Sequence, residues 1–533
     1  MRRATVEPVR RADSLTRPVG RPARPLVLGL TAALLLAGCV GGKDQSTPSD
    51  DATTSDTPTV DPSLGLDAFY GQTLVWQDCD EDDQHYECAT VQAPLDWDDP
   101  TAGAIELAVK RAPASGPADQ RIGSLLMNPG GPGASGIDFL SSAVSYVLGD
   151  DLLAAYDAVG FDPRGVAGST PVDCGDDATV DEFLTSDFPM ESQADVEAAR
   201  ERVRAFGEAC LESTGPVLGE VDTVSAARDM DLMRAVLGDE KLHFLGFSYG
   251  TFLGATYADL YPENVGRLVL DGALDPSMSN DDLLLGQAVG FENALRAYVE
   301  DCQTDPSCPL TGSLDAGLAQ VAEVVSKAEA SPLPTSMGVE VNRTLAWYGI
   351  IVTLYDDQSW PYLTMALDEA MNTGTGDTLL QLANFYLDRT PDGHYTANSN
   401  IAFQAINCLD YPMVARDYDD MVAFADQMEA VAPTFGRQMA MGVGCETWPF
   451  AATGERKPIT AEGAAPILVV GTTGDPATPY EWAVALADQL ASAELLTWQG
   501  EGHTAYGRGG QCVSDVVETY LLEGELPAGG ASC

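Results

Sequence analysis

Five residues constrain this chain more than any others: Gly246-Phe247-Ser248-Tyr249-Gly250. A serine between two glycines at this spacing suits a turn so tight that a side chain at either glycine would collide with backbone. The serine is then forced into a strained, exposed conformation. The turn needs a strand before it and a helix after it. Both are readable here, as a short apolar run at 242–245 and a helical stretch over 250–260. That helix aims its N-terminus at the serine, where it stabilises negative charge. Ser248 is therefore the expected nucleophile, because a chance match to the pattern would lack the flanking strand and helix.

The surrounding pattern agrees with a parallel sheet crossed by helices. Ile105, Leu107 and Val109 alternate with Glu106, Ala108 and Lys110, as in a half-exposed strand. Residues 124–127 and 155–161 are short apolar runs bounded by Gly and Pro, as buried parallel strands are. Residues 224–237 repeat apolar positions at helical spacing, with Thr223 as cap and Gly238 as stop, and 267–270 reads as a strand ending in Asp271. From 276 the character changes. Leu284, Ala288, Phe291, Leu295 and Tyr298 share one helical face, as do Leu314, Leu318, Val321 and Val325, and residues 345–355 are rich in aromatic and aliphatic side chains. Sheet signals return at 467–470 and 494–497. The expected architecture is α/β: a mostly parallel sheet with helices on both faces, interrupted by a large, mainly helical insertion able to cover a site. The expected division is a first core part at 64–275, a helical cap at 276–455 and a second core part at 456–533.

A nucleophilic serine needs a base, and where a strand–turn–helix presents it the chain order is Ser, then Asp or Glu, then His. Two histidines follow Ser248. His394 lies in a polar loop within the insertion and reads as solvated, whereas His503, in Gly500-Glu501-Gly502-His503-Thr504, follows a strand directly and is the expected base. Asp475 follows the strand at 467–470 through Gly471-Thr472-Thr473-Gly474 and is the favoured acid, with Asp271 as the alternative. Thr478-Pro479-Tyr480-Glu481 reads as a capping box that would steady the Asp475 loop. Asn128-Pro129-Gly130-Gly131-Pro132-Gly133 follows the strand at 124–127, and its glycines let backbone approach a substrate closely. The expected oxyanion donors are the N–H groups of Gly131 and Tyr249.

The first residues read as an export signal. Arg2, Arg3, Arg10, Arg11, Arg17, Arg21 and Arg24 precede an apolar run at 26–36 that is too short to span a bilayer comfortably. The run ends in Leu36-Ala37-Gly38-Cys39, which makes 1–38 a lipoprotein signal peptide with Cys39 as the lipid acceptor. Residues 39–63 hold almost no large apolar side chain and read as a flexible tether. Of eleven cysteines, ten remain after Cys39, an even number suited to disulfides in an oxidising compartment. Their order suggests neighbour pairs, although sequence alone does not fix connectivity: Cys79 with Cys88, Cys174 with Cys210, Cys302 with Cys308, Cys408 with Cys445 and Cys512 with Cys533. With 81 acidic and 28 basic residues the net charge is −53, the wrong sign for nucleic acid or an anionic membrane surface. Membrane contact is expected only through the lipid. There is no C-x-x-C and there are only four histidines, so a metal is not expected, and acyl transfer through a serine needs no cofactor.

The run from Asn128 to Gly133, Gly160-Phe161-Asp162-Pro163-Arg164-Gly165, Gly246-Phe247-Ser248-Tyr249-Gly250-Thr251, Leu270-Asp271-Gly272, Gly474-Asp475-Pro476-Ala477-Thr478-Pro479 and Gly502-His503 together resemble the tripeptidyl aminopeptidase family of actinobacterial secreted α/β-hydrolases, itself similar to the proline iminopeptidases. The resemblance covers roughly residues 75–533 and includes Cys408 and the Cys445-x-x-Trp448-Pro449 segment. It implies an α/β-hydrolase fold with a helical cap, and a serine exopeptidase that takes peptides with a free N-terminus and releases tripeptides. Pro129 stands where the proline iminopeptidases have His, so their proline specificity does not carry over. Some family members are described as carboxylesterases. An esterase acting on envelope lipids or small esters through the same triad is therefore the alternative. Retention of Ser248, Asp475, His503 and both Gly-rich loops speaks against a third reading, an inactive scaffold. An exopeptidase must also bind the substrate ammonium, and Glu292 in the insertion is one carboxylate that could do so. The expected location is the extracellular face of the bacterial cell membrane, held by the lipid on Cys39.

Overall fold

The computed structural model describes residues 60–81 and 84–533. The signal peptide, Cys39 and all of the tether before Val60 lie outside the described residues. Ten strands are present among the described residues: β1 Gln77–Asp78, β2 Glu87–Pro94, β3 Ala104–Ala112, β4 Gly123–Asn128, β5 Tyr156–Phe161, β6 Leu242–Phe247, β7 Val265–Asp271, β8 Ile467–Gly474, β9 Ala493–Glu501 and β10 Ala531–Ser532. They form one sheet in the order β1-β2-β3-β5-β4-β6-β7-β8-β9-β10. From β5 to β10 every neighbouring pair is parallel, and β1 to β3 join as an antiparallel edge.

The burial pattern follows from this topology. All six residues of β4 and of β5 are buried, as central parallel strands are when helices cover both faces. β3 starts with the expected alternation, Ile105, Leu107 and Val109 inside with Ala104 and Glu106 out. Successive residues of one strand feed opposite cores. Phe244 and Leu270 join Met230, Leu253 and Leu486, from the helices Thr223–Val236, Tyr249–Leu260 and Tyr480–Gln489. Leu245 and Val269 join Leu140, Leu152 and Val517, from the helices Gly136–Tyr146, Asp150–Ala155 and Gly510–Glu523. The helix after the elbow is buried along almost its whole length, from Tyr249 to Ala258.

Between β7 and β8 the chain leaves the sheet for eight α-helices: Asn280–Cys302, Leu314–Ala330, Arg343–Leu354, Trp360–Asn372, Asp377–Tyr386, Ser399–Asp410, Tyr418–Val431 and Gly436–Ala440. Much of this insertion packs around a core of its own, in which Leu295, Val321, Ile350, Leu367 and Leu380 are buried. Ala288, Phe291, Leu295 and Tyr298 do share an inward face, with Leu284 partly buried beside them. The five disulfides pair neighbours as the cysteine order suggests: Cys79–Cys88, Cys174–Cys210, Cys302–Cys308, Cys408–Cys445 and Cys512–Cys533.

Two readings need correction. Asp222, not Thr223, caps the helix Thr223–Val236, its carboxylate accepting from the Ser225 N–H at 3.0 Å. The Thr223 hydroxyl is engaged elsewhere, as described below. The second correction concerns the stretch after β5. Two helices there, Asp177–Thr185 and Gln193–Thr214, attach to the insertion between β7 and β8. Arg389 donates to Asp181 at 2.6 Å, and Asp187 accepts from the Arg343 and Thr344 N–H groups at 3.0 and 2.9 Å. A segment outside 276–455 thus braces the insertion.

Candidate active site

The elbow has the expected geometry. β6 ends at Phe247, Ser248 takes φ 55° and ψ −124°, and the next helix starts at Tyr249. A positive φ at a non-glycine residue costs on the order of 1–3 kcal/mol and persists only where the surroundings fix it. They do so here. The Ser248 N–H donates to the Asp271 carbonyl at the end of β7 at 2.9 Å, and the Ser248 carbonyl accepts from the N–H and the hydroxyl of Thr251, at 2.9 and 2.6 Å. Both flanking glycines are sterically required. A Cβ at Gly246 would lie 2.5 Å from the Gly250 carbonyl oxygen, and one at Gly250 would lie 2.8 Å from the Asn128 carbonyl oxygen. Ser248 is the one residue of the five that is not buried.

The glycine loop after β4 lies against this elbow. A Cβ at Gly130 would come within 2.8 Å of the Ser248 Cβ and 3.2 Å of the Tyr249 nitrogen. Gly131 is therefore brought beside the first turn of the elbow helix. Among the described residues neither the Gly131 nor the Tyr249 N–H is given to a protein acceptor, whereas the Gly130 N–H goes to Asn128 Oδ1 at 3.0 Å. Two unspent donors at a helix N-terminus beside a serine can hold an oxyanion.

Strand register brings the acid and the base together. β8 pairs with β9 as far as Gly474 opposite Glu501, and the Gly502 N–H donates to the Gly474 carbonyl at 3.1 Å. Asp475 is one residue past the first strand and His503 two past the second. His503 Nδ1 lies 2.8 Å from Asp475 Oδ1 and 2.9 Å from Oδ2. The same carboxylate accepts from the N–H groups of Ala477, Thr478 and Thr504, at 3.0, 2.9 and 3.0 Å, and from the Thr478 hydroxyl at 3.1 Å. A carboxylate so supplied with donors has no proton to give, so Nδ1 bears the hydrogen and Nε2 keeps its lone pair. The imidazole sits over the end of β7: a Cβ at Gly272 would meet His503 Cε1 at 3.3 Å. The Ser248 N–H is hydrogen-bonded to the Asp271 carbonyl, so the backbone of the nucleophile and the imidazole both lie against the turn at Asp271 and Gly272.

The alternative acid has other work. Asp271 is fully buried, and its carboxyl accepts from the N–H groups of Ala505, at 3.0 and 3.1 Å, and Tyr506, at 2.7 Å, not from the ring of His503. Burial pushes its pKa up to about 7, against the lowering effect of those donors. His394 is exposed and paired with Asp177 at 2.8 Å, as its loop suggests. Glu292 is buried, and both its oxygens are occupied by Thr434, from the N–H at 2.9 Å and the hydroxyl at 3.1 Å. That gives it a structural task in joining the helix Asn280–Cys302 to the turn before Gly436–Ala440.

Other residues are not readable from local pattern. Thr478 is no capping box: Pro479 takes the cap position with no side-chain bond, and the Thr478 hydroxyl serves Asp475 and lies 3.3 Å from His503 Nδ1. Asp410, in the insertion, accepts from the Thr223 N–H at 2.9 Å and hydroxyl at 2.6 Å, and Thr223 in turn meets the Tyr249 hydroxyl. Burial pushes Asp410 up to about 7. This chain ties the residue after the nucleophile to the insertion across long sequence separations, which leave no local signal. Three groups with metal-ligand chemistry, Asp78, His85 and Glu87, come within 4.8 Å of one another at the β1 edge of the sheet. Glu87 is already paired with Arg111, and His85 with Asp80. None belongs to the site at the ends of β6 and β8.

Known proteins resemble this chain over most of its length. A family model described as TAP-like protein matches residues 432–533, the part that contains Asp475 and His503. The serine protease Hip1 of Mycobacterium tuberculosis is 35% identical over 532 residues, covering 94% of this chain and 95% of that one. The carboxylesterase B of the same organism is 37% identical over 452 residues, covering 84% and 86%. The tripeptidyl aminopeptidase of Streptomyces coelicolor is 32% identical over 470 residues, covering 86% and 85%.

Proposed function

The chain belongs to the tripeptidyl aminopeptidase family of α/β-hydrolases and is a serine hydrolase of that family, and we propose that it removes tripeptides from the free N-termini of peptides by acyl transfer through Ser248. His503 takes the Ser248 proton on Nε2 as Oγ attacks the carbonyl carbon of the third residue. The electron pair moves onto the carbonyl oxygen, held by the N–H groups of Gly131 and Tyr249. Asp475 stabilises the imidazolium. Collapse of the intermediate expels the amine, which leaves with the proton from Nε2. Water then attacks the ester with His503 again as base, and the tripeptide departs. These steps need no metal or cofactor.

The observation that carries this reading is the Asp475 carboxylate on His503 Nδ1 beside the Ser248 elbow. The net charge of −53 suits cationic N-termini and not nucleic acid. The Leu36-Ala37-Gly38-Cys39 segment supports anchoring at the outer face of the cell membrane through lipid on Cys39. Cys39→Ser should then move the protein from the membrane fraction to the medium. A second reading, hydrolysis of small esters or envelope lipids, is favoured by the likeness to a carboxylesterase, since ester and amide share the same acyl-enzyme.

The deciding experiment compares kcat/KM on a tripeptide anilide, its N-acetylated form and a butyrate ester. The peptidase reading expects rapid turnover of the first and a loss of at least about 100-fold on acetylation, the scale of a lost charge-assisted contact. Equal rates with and without the acetyl group overturn the free-N-terminus requirement. Turnover of the ester alone favours the second reading.

A further inference from the structure

The loop that bears His503 touches the helical insertion as closely as it touches the sheet. The His503 N–H donates to the carbonyl of Tyr355, the residue that ends the helix Arg343–Leu354, at 2.8 Å. The Tyr355 ring meets the imidazole nearly at right angles, with centroids 5.6 Å apart. Arg508 then reaches back along the same loop. Its Nη1 donates to the His503 carbonyl at 2.9 Å and to that of Thr504 at 3.4 Å. Its Nη2 donates to the Glu501 carbonyl at 3.2 Å and to Asp356 Oδ1 at 2.9 Å, with Asp357 Oδ1 at 3.5 Å. The guanidinium also stacks toward Trp498. Room for it comes from Gly502, at φ 100°, where a Cβ would lie 2.5 Å from Nη2 and 2.8 Å from the Tyr355 carbonyl oxygen.

We infer that Arg508 is a positioning residue for the base, clasping the backbone of His503 to Asp356 of the insertion so that the place of the imidazole depends on where the insertion sits. This rests on His503 being the base. Asp475 orients the ring, and the N–H bonds of Thr504 and Ala505 to Asp475 and Asp271 fix the loop after it. The residues before the ring are held to the sheet, where β9 ends at Glu501 and the Gly502 N–H donates to the Gly474 carbonyl, and Arg508 with Tyr355 is what joins them to the insertion. A rigid planar fork suits this task, since one guanidinium can hold carbonyls on one side and a carboxylate on the other in fixed geometry. A displacement of about 1 Å at a reacting group costs on the order of 100-fold in rate.

The test measures kcat, KM and thermal unfolding for Arg508→Gln, Asp356→Asn and the double variant, with His503→Ala as control, on a substrate that the wild type turns over. Arg508→Gln should lower kcat by about 30- to 100-fold with KM within about threefold. Asp356→Asn, which keeps the arginine and its carbonyl contacts, should lower kcat by about fivefold. The double variant should fall no further than Arg508→Gln, because the two act through one contact. Methylguanidinium added to Arg508→Ala should restore part of kcat, which a purely structural arginine would not allow. Arg508→Gln within twofold of wild-type kcat, a loss confined to KM, or losses that multiply in the double variant would each overturn the clasp while leaving the base reading intact. Full activity in His503→Ala would overturn both.

Discussion

Asp271 ends β7 and Asp475 lies one residue past the neighbouring strand β8. Both are nearly excluded from solvent, at 0% and 4% exposed, and both accept hydrogen bonds from the loop that bears His503. They differ in what that loop offers. Asp271 receives backbone N–H groups, from Ala505 and Tyr506. Asp475 receives the imidazole itself, with the Thr504 N–H and the Thr478 hydroxyl around it. Residue type, depth and neighbouring loop are therefore shared, and the chemical role is set by which part of the loop after β9 each one meets, residues 503 and 504 for Asp475 and 505 and 506 for Asp271. One carboxylate shapes the loop and the other sets the tautomer of the base.

The largest test of this comparison is Asp475→Asn. An amide in place of the carboxylate favours the wrong tautomer, and kcat should fall by about 10⁴-fold with the fold retained. Asp271→Asn should lose less than about tenfold in kcat and instead lose about 1–3 kcal/mol of stability near pH 5, since an amide nitrogen would face a buried N–H. Paired measurements of kcat and unfolding free energy read both. Equal kinetic losses at the two sites would break the comparison, and a larger loss at Asp271 would reverse it.

Smaller, and separate from catalysis, is a pH effect. Burial holds the Asp271 pKa at about 7, against roughly 3.9 in an unfolded chain. The native state thus prefers the protonated carboxyl. Its stabilisation is fully present below about pH 4 and is lost as pH rises through 7. Asp410 is pushed up to about 7 by the same cause, so wild-type data alone mix the two. The difference in unfolding free energy between wild type and Asp271→Asn isolates one group. It should shrink with pH between 5 and 7 at a slope of up to about 1.4 kcal/mol per unit. A difference that stays level, or grows, contradicts the assignment.

The contrast between the two aspartates also shows which parts of the site are legible in sequence. The elbow is legible because its constraint is local and steric: strand, glycine, serine, glycine and helix are consecutive. His503 is legible by elimination, since only one other histidine follows Ser248 and it sits in a polar loop. The choice of Asp475 over Asp271 is only a preference in sequence, because it turns on the register of β8 against β9. Thr478 and Thr223 are misread for a shared reason. A threonine hydroxyl near a helix start can serve the helix or a carboxylate outside it, and here both serve a carboxylate, Asp475 three residues before Thr478 and Asp410 far along the chain from Thr223. Arg508 has no local signature at all, since its partners at 356 and 503 are brought together only by the fold.

The most direct measurement is where an acyl-like adduct forms. The wild-type protein, treated with a fluorophosphonate and digested, should show one added mass on the peptide containing Ser248, with labelling lost in Ser248→Ala and greatly slowed in His503→Ala. Labelling at another serine, or full peptidase activity in Ser248→Ala, would contradict the account.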